Sequence, residues 1–176
     1  PDEPSEDDRR ANGLIQSDDP LIVAMAKEAA GDDNDPWRTA QALERFVHDR
    51  IEAKNFSQAF ATAAEVAKTL EGDCTEHAVL LTALSRAAGR ASRVVMGLQL
   101  VQEEDQFFTY GHAWSEIYEE GRWQLADATL PQLGMPEAVV RYLPLFALDN
   151  EGPGYAWDLA TMLRIYPSRV HLVRGG

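Results

Sequence analysis

Cysteine, positive charge and long apolar runs are all scarce in this chain of 176 residues. The single cysteine, Cys74, excludes an internal disulfide and leaves its thiol free. Lysine and arginine number 16 against 29 aspartates and glutamates, a formal net charge of −13. Because nucleic-acid binding needs a basic patch, we expect no nucleic-acid partner. No apolar run is long enough to cross a bilayer, so we expect a soluble chain with no integral membrane segment.

The start of the chain is acidic and polar, and its first residue is Pro1 rather than Met. This pattern predicts an acidic linker or disordered terminus over residues 1–18, and a sequence that is part of a longer protein. The remaining composition is that of a globular protein, with 45% hydrophobic residues in the whole chain. We therefore predict a single folded domain over residues 19–176.

Helical signals dominate the first half of that domain. Asp19 and Asp35 each precede a proline, which is the usual start of a helix, and Gly31 is a helix stop. Asp73 is a further predicted N-cap, and the helix behind it is apolar on nearly every side, which indicates burial. The predicted helices cover residues 21–30, 36–53 and 62–70, and a fourth runs from Asp73 to Gly89. Residues 54–60 are predicted to form an irregular connection.

Strand signals follow from residue 93 onward. Segments 93–101, 107–119 and 122–128 are predicted strands, with a turn at 102–105 and a hairpin around Glu120–Gly121. Beyond residue 130 the pattern weakens: 139–148 is apolar but interrupted by Pro144, 155–163 favours a short helix and 168–173 a last strand. Helices followed by an antiparallel sheet predict an α+β fold.

Cys74, His112 and Asp127 have the residue types and order of a nucleophile, a base and an orienting group. Cys74 falls in the first turn of a predicted helix, where free N–H groups stabilise a thiolate and can bind an oxyanion. His112 can accept the thiol proton, and Asp127 can fix the imidazole tautomer. The alternative is structural for each: a buried inert thiol, a hydrogen-bonded strand histidine and a turn aspartate.

The hairpin register tests this arrangement without reference to other proteins. A two-residue turn at Glu120–Gly121 makes His112 face Thr129, with Asp127 as its diagonal neighbour on the same side of the sheet. A turn one residue earlier pairs His112 directly with Asp127. A three-residue loop would place the two side chains on opposite faces, unless a bulge intervenes.

Four segments resemble the transglutaminase-like superfamily: Gly72–Ala78, Ala88–Val95, His112–Trp114 and Trp123–Thr129. The resemblance spans a motif core at 63–130. It implies a papain-like fold in which the helix bearing the nucleophile packs on an antiparallel sheet. It also implies that Cys74 is the nucleophile, His112 the base and then the acid, and Asp127 the orienting residue.

The resemblance further implies acyl transfer or hydrolysis on a peptide-like amide of a peptide or protein substrate, through a thioester at Cys74. Short bacterial members of this kind suggest a periplasmic or cell-envelope protein. The chain departs from the usual pattern by lacking flanking β-domains and calcium loops. It also has Ala128 where proline is usual, and Arg90–Ala91 where Ile–Pro is frequent. None of these positions supplies a reacting group.

Other residues could complete the site. Gly72 would let a substrate approach the sulfur, Trp114 would wall the pocket, and Gln58 is a candidate second oxyanion donor. Trp114 and Trp123 could equally belong to the core.

Two further readings of the sequence compete with the enzyme. Cys74, His77, His112 and Asp127 could all bind zinc, but no Cys-x-x-Cys or His-Glu-x-x-His motif is present, so we predict no metal and no cofactor. The other reading is a catalytically inactive binding or scaffold domain of a larger protein.

Overall fold

The computed structural model of the chain describes residues 3–32, 35–53, 61–103, 106–130, 141–148 and 168–170. Within these ranges, four helices precede a mainly antiparallel sheet. The predicted α+β fold, with the Cys74 helix packed on the sheet, is confirmed. The predicted connection at 54–60 and the predicted helix at 155–163 lie outside the described residues.

The first two helices begin where the sequence predicts. Helix α1 spans Pro20–Ala30 and helix α2 spans Pro36–Arg50. Each has an aspartate cap whose carboxylate accepts a backbone N–H of the first turn, and Gly31 ends α1. Helix α2 stops before the predicted position 53, because Glu52–Ala53 form strand β1.

Helices α3 and α4 are each fixed by a capping box. Helix α3 spans Ala63–Thr69, strand β2 spans Glu71–Gly72 and pairs in parallel with β1, and α4 spans Cys74–Ala87. Every residue of α4 from Glu76 to Arg86 is buried, as the nearly uniform apolar pattern predicts. A helix buried all round is held by its neighbours, so its N-terminus is a rigid platform for Cys74.

The sheet lies against α4. Strand β3 spans Ser92–Glu103, β4 Gln106–Glu119, β5 Arg122–Ala126, β6 Arg141–Ala147 and β7 Ser168–Val170. The order is β5-β4-β3-β6, and β7 pairs with the start of β4. Strand β3 runs into the predicted turn as far as Glu103, while residues 104–105 and 171–173 lie outside the described ranges.

Strand β6 contains the proline that interrupts the apolar pattern. Pro144 lies opposite Gly97, and the register of β6 on β3 shifts between Met96 and Gly97. Proline lacks the N–H that a central strand must donate, so it is tolerated where a strand has one partner or a bulge. Both conditions hold for β6 among the described strands, which explains why Pro144 does not end the strand.

One face of β4 packs on α4, and the other face carries His112. Ala113, Ser115 and Ile117 are buried toward α4, where the Ser115 hydroxyl donates to the Ala78 carbonyl at 2.9 Å. Side chains alternate along a strand, so His112 and Trp114 point to the opposite face. His112 and Trp114 therefore lie on the face of β4 that does not pack against the buried residues of α4.

The segment before α1 differs from the predicted linker. Ile15 is 0% exposed, and Leu14 is buried in the same core. The Leu14 carbonyl accepts the Ala63 N–H at 2.9 Å, and the Asp8 carbonyl accepts the Ser92 N–H at 2.9 Å. The acidic composition of residues 1–18 hides this pair of apolar residues, whose burial outweighs the local polarity.

We predict that Ile15→Ala lowers the free energy of unfolding by about 2–5 kcal/mol, because it leaves a cavity in the core. Thermal or urea denaturation measures the change. Leu21→Ala is the matched control, since Leu21 is 38% exposed, and it should change stability by about 0.5 kcal/mol or less. Equal effects of the two substitutions would show that residues 14–15 do not belong to the cooperative core.

We predict that Gly97→Ala destabilises the sheet beside His112 by about 1–3 kcal/mol through overpacking. A Cβ at Gly97 would lie 2.2 Å from the Leu143 carbonyl oxygen and 2.6 Å from the Trp114 ring. Gly13→Ala is the control, because nothing lies within 4 Å of its Cβ position. A wild-type unfolding midpoint for Gly97→Ala would contradict this close packing.

Candidate active site

Cys74 occupies the first position of α4, directly after its cap Asp73. The Asp73 carboxylate accepts the backbone N–H groups of Thr75 and Glu76, and the Asp73 carbonyl accepts that of His77. The N–H of Cys74 has no hydrogen-bond partner among the described residues. It is therefore the first-turn donor that is available beside the sulfur.

Gly72 leaves room for the side chain that completes this cap. A Cβ at Gly72 would lie 2.2 Å from the Glu76 Cβ. Glu76 reaches back to accept the Asp73 N–H at 3.0 Å and the Ala61 N–H at 3.3 Å. Burial raises the pKa of Glu76, while the hydrogen bond from Asp73 opposes that rise. The role of Gly72 in admitting a substrate stays a prediction. The structure gives Gly72 a second role, which is to leave space for the Glu76 side chain.

His112 and Asp127 meet as the two-residue turn predicts. Glu119 pairs with Arg122, and both Glu120 and Gly121 have positive φ, as a tight hairpin turn of this type requires. His112 Nε2 lies 2.7 Å from Asp127 Oδ2. The expected diagonal contact on one face is confirmed.

The side chain of Cys74 lies near enough to the His112 imidazole to raise its pKa. Since Nε2 is engaged by Asp127, Nδ1 is the nitrogen left for the thiol. His112 is 8% exposed and Asp127 1%, whereas Cys74 is only half-buried. The structure thus brings together the three residues that the sequence singles out, with the sulfur at the accessible end.

Asp127 is surrounded by donors from three parts of the chain. Besides His112, the Thr129 N–H donates to Oδ1 at 2.9 Å and the Tyr142 hydroxyl donates to Oδ2 at 2.7 Å. The Thr129 hydroxyl donates to the same Oδ1. The backbone N–H of Asp127 donates to Glu44 Oε1 at 2.8 Å. A buried carboxylate with this many donors stays ionised.

The charges of the site follow from these contacts. Burial lowers the pKa of His112, but the hydrogen bond to Asp127 and the nearby side chain of Cys74 outweigh that effect and raise the pKa to about 9. Burial raises the pKa of Asp127, and its bonds to His112, Thr129 and Tyr142 outweigh that effect and lower it. Burial, followed by the charge of Asp127, raises the pKa of Tyr142. At neutral pH the site therefore holds an imidazolium on a carboxylate.

Aromatic rings support the imidazole. Trp114 is 1% exposed, with its ring centroid 6.3 Å from that of His112, and it meets Tyr142 edge-on at 5.2 Å. This burial makes Trp114 a support behind His112 rather than an open pocket wall. Trp123 lies elsewhere: it packs on Tyr118, and the Arg93 guanidinium covers its ring at 4.0 Å.

The remaining predicted residues divide into one with a structural role and one that is not described. His77 is buried, and its Nδ1–H donates to the Asp73 carbonyl at 2.6 Å, while burial lowers its pKa. Gln58 lies outside the described residues.

Among the residues that are described, no group of three or more His, Cys, Asp or Glu is arranged to hold a metal ion. No helix of the described chain is long and apolar enough to cross a membrane.

Tyr142 and Glu44 contact Asp127 but were not predicted from the sequence. Tyr142 lies on β6, where the pattern is weak and interrupted. Glu44 lies on α2 four residues after Ala40 and three before Val47, both buried, so it falls inside the apolar stripe of the helix. A charged residue inside such a stripe is a readable signal of a buried polar contact.

Comparison with known proteins agrees with this geometry. The family model described as the transglutaminase-like superfamily matches residues 23–128, a range that includes Cys74, His112 and Asp127. No curated protein matches the sequence.

Two solved structures share the fold. A candidate cysteine protease from Cytophaga hutchinsonii has a TM-score of 0.58 and 20% identity, over 81% of this chain and 52% of that one. The periplasmic domain of TgpA from Pseudomonas aeruginosa has a TM-score of 0.52 and 24% identity, over 62% of this chain and 42% of that one. This chain therefore spans about half of either neighbour. The family match, which covers more than half of the sequence, shows that the chain belongs to the transglutaminase-like superfamily.

Proposed function

We propose that this protein is a cysteine-nucleophile enzyme that cleaves a peptide-like amide through a Cys74–His112–Asp127 triad. The observation that carries the proposal is the 2.7 Å hydrogen bond between His112 and Asp127, with the Cys74 thiol near the same imidazole. Asp127 stabilises the imidazolium, and the imidazolium stabilises a thiolate. The family membership and the fold shared with a candidate cysteine protease support the same chemistry.

The proposed reaction has two steps. In the first, Cys74 Sγ bonds to the amide carbonyl carbon, and the oxyanion accepts a hydrogen bond from the Cys74 N–H. The carbon–nitrogen bond then breaks as His112 Nδ1–H gives its proton to the leaving amine or ammonia, which leaves a thioester. In the second, neutral His112 takes a proton from water, the hydroxide oxygen bonds to the carbonyl carbon, and the carbon–sulfur bond breaks. The products are a carboxylic acid and the Cys74 thiolate beside a His112 that is again an imidazolium, which restores the starting state.

We propose a peptide or protein substrate outside the cytoplasm, because one structural neighbour is a periplasmic domain. We also propose one folded domain for residues 19–176, to which residues 3–18 contribute. Since the chain spans about half of either neighbour, we also propose that it is part of a longer protein.

We predict that iodoacetamide alkylates Cys74 rapidly even at pH 6, and that His112→Ala slows this reaction about 10- to 100-fold at that pH. The reason is that His112, with its pKa raised to about 9, remains an imidazolium beside the sulfur at that pH. Mass spectrometry of the adduct measures the rate, and Cys74 is the only cysteine, so every adduct reports one site.

The control for that measurement is the alkylation rate of urea-denatured wild type and of urea-denatured His112→Ala. All unfolded chains should react as an ordinary thiol that titrates near about pH 8.5. If folded wild type and His112→Ala share one pH profile, the activated thiolate does not exist and an inactive scaffold domain becomes the better reading.

We predict that hydrolysis exceeds transamidation. Cys74 is half-buried rather than enclosed, so water reaches a thioester formed there. The measurement incubates casein with the protein and a fluorescent primary amine, then follows new amino termini, released ammonia and fluorescent product. Cys74→Ala gives the background. Fluorescent labelling in excess of the hydrolysis products would reverse this assignment and identify an amine acceptor.

A further inference from the structure

Glu44 is a buried carboxylate that the proposed reaction does not use. It is 1% exposed, although its neighbours Arg45, Asp49 and Arg50 on α2 are exposed. Burying a carboxylate costs several kcal/mol unless hydrogen bonds compensate. An apolar residue at this position would avoid the cost, so the contact that Glu44 makes should have a specific task.

One contact of Glu44 is with the backbone of Asp127. Glu44 Oε1 accepts the Asp127 N–H at 2.8 Å. The last paired residue of β5 is Ala126, opposite Ser115, so Asp127 lies just beyond the strand ladder of β4 and β5. Glu44 thus accepts an N–H that lies outside the strand ladder, and a bond from an N–H to a carboxylate is stronger than one to a neutral carbonyl.

A second bond from the same helix holds the next residue. His48 lies one turn after Glu44, and its Nδ1–H donates to the Ala128 carbonyl at 2.8 Å. Residues four apart share a helix face, so both bonds come from one side of α2. The turn is closed by the Leu130 N–H, which donates to the Asp127 carbonyl at 3.0 Å. Helix α2 therefore holds the backbone at both ends of the Asp127–Ala128 peptide.

We propose that Glu44 is a positioning residue: by accepting the Asp127 N–H, it fixes the backbone from which the Asp127 carboxylate reaches His112. The carboxylate must stay within a few tenths of an ångström of its place to hold the imidazole. The β5 ladder alone does not secure this, because it ends one residue earlier. This inference rests on the proposed triad, and in it Glu44 acts on His112 through Asp127.

The test compares Glu44→Met with Glu44→Gln. Methionine fills the space but accepts no strong hydrogen bond, whereas glutamine keeps the acceptor oxygen and loses the charge. We expect Glu44→Met to slow iodoacetamide alkylation of Cys74 at pH 6 at least about tenfold. Glu44→Gln should remain within about threefold of wild type, because the N–H bond survives. Rescue by the amide would separate positioning from a charge effect.

A spectroscopic readout accompanies the rates. In wild type, an NMR titration should show His112 protonated up to about pH 9. In Glu44→Met the midpoint should fall toward about 6.5, the value of an unpaired histidine, and in Glu44→Gln it should not. His112→Gln assigns the signal among the four histidines.

Val47→Ala controls for general destabilisation of α2, because Val47 is fully buried on the same helix. It should lower the melting temperature without changing either pH profile. If Glu44→Met does not fold, Glu44→Asp replaces it, since the shorter carboxylate withdraws from the Asp127 N–H and should also slow alkylation.

The outcomes separate this inference from the proposed function. A folded Glu44→Met, or Glu44→Asp in its place, with a wild-type alkylation profile and His112 titration overturns the positioning role. So does an equal loss in Glu44→Gln, which would indicate a role of the charge. If instead wild type and His112→Ala react alike, the proposed triad itself fails, whatever Glu44 does.

Discussion

The buried carboxylate of Asp127 is the constraint around which the site is organised. A charge at 1% exposure is tolerated only with nearby donors, and these come from β4, from the turn after β5 and from β6. Satisfying Asp127 therefore requires the strands to be assembled in their observed register. The same bonds that stabilise the charge also place His112, so folding of the sheet and construction of the site are one event.

Much of this arrangement is encoded locally and can be predicted from the sequence. The tight turn needs positive φ at Glu120 and Gly121, and glycine at the second position accepts this without strain. That turn sets the register, and the register alone brings His112 and Asp127 to one face. The start of α4 is equally local, because Asp73 and Glu76 form a capping box around the first helical residue, Cys74.

The parts that escaped prediction depend on contacts between distant segments. Tyr142 reaches Asp127 from a strand whose pattern contains Pro144, and its place follows from pairing with β3 rather than from its own propensity. Ile15 belongs to the core, although its surroundings have the composition of a linker. In both cases tertiary packing overrides the local sequence pattern. Short segments of sequence do not contain the distant contacts that decide the structure.

Glu44 lies between these extremes. Its position within the apolar stripe of α2 is visible in the sequence, but the partner that justifies it is the N–H of Asp127, on a different element. The helical periodicity therefore shows that a charged residue occupies a buried position, and the contact with Asp127 explains why it is tolerated there.

The candidate site is buried at His112 and Asp127 and accessible to solvent at Cys74. His112 and Asp127 are almost fully buried, so their attraction acts in a medium of low effective dielectric and is weakly screened by salt. Cys74 is half-buried at the N-terminus of α4. In the proposed reaction, activation and access therefore need not compete, because the charged pair is shielded while Cys74 stays accessible. The same accessibility favours water as the acceptor of the acyl group.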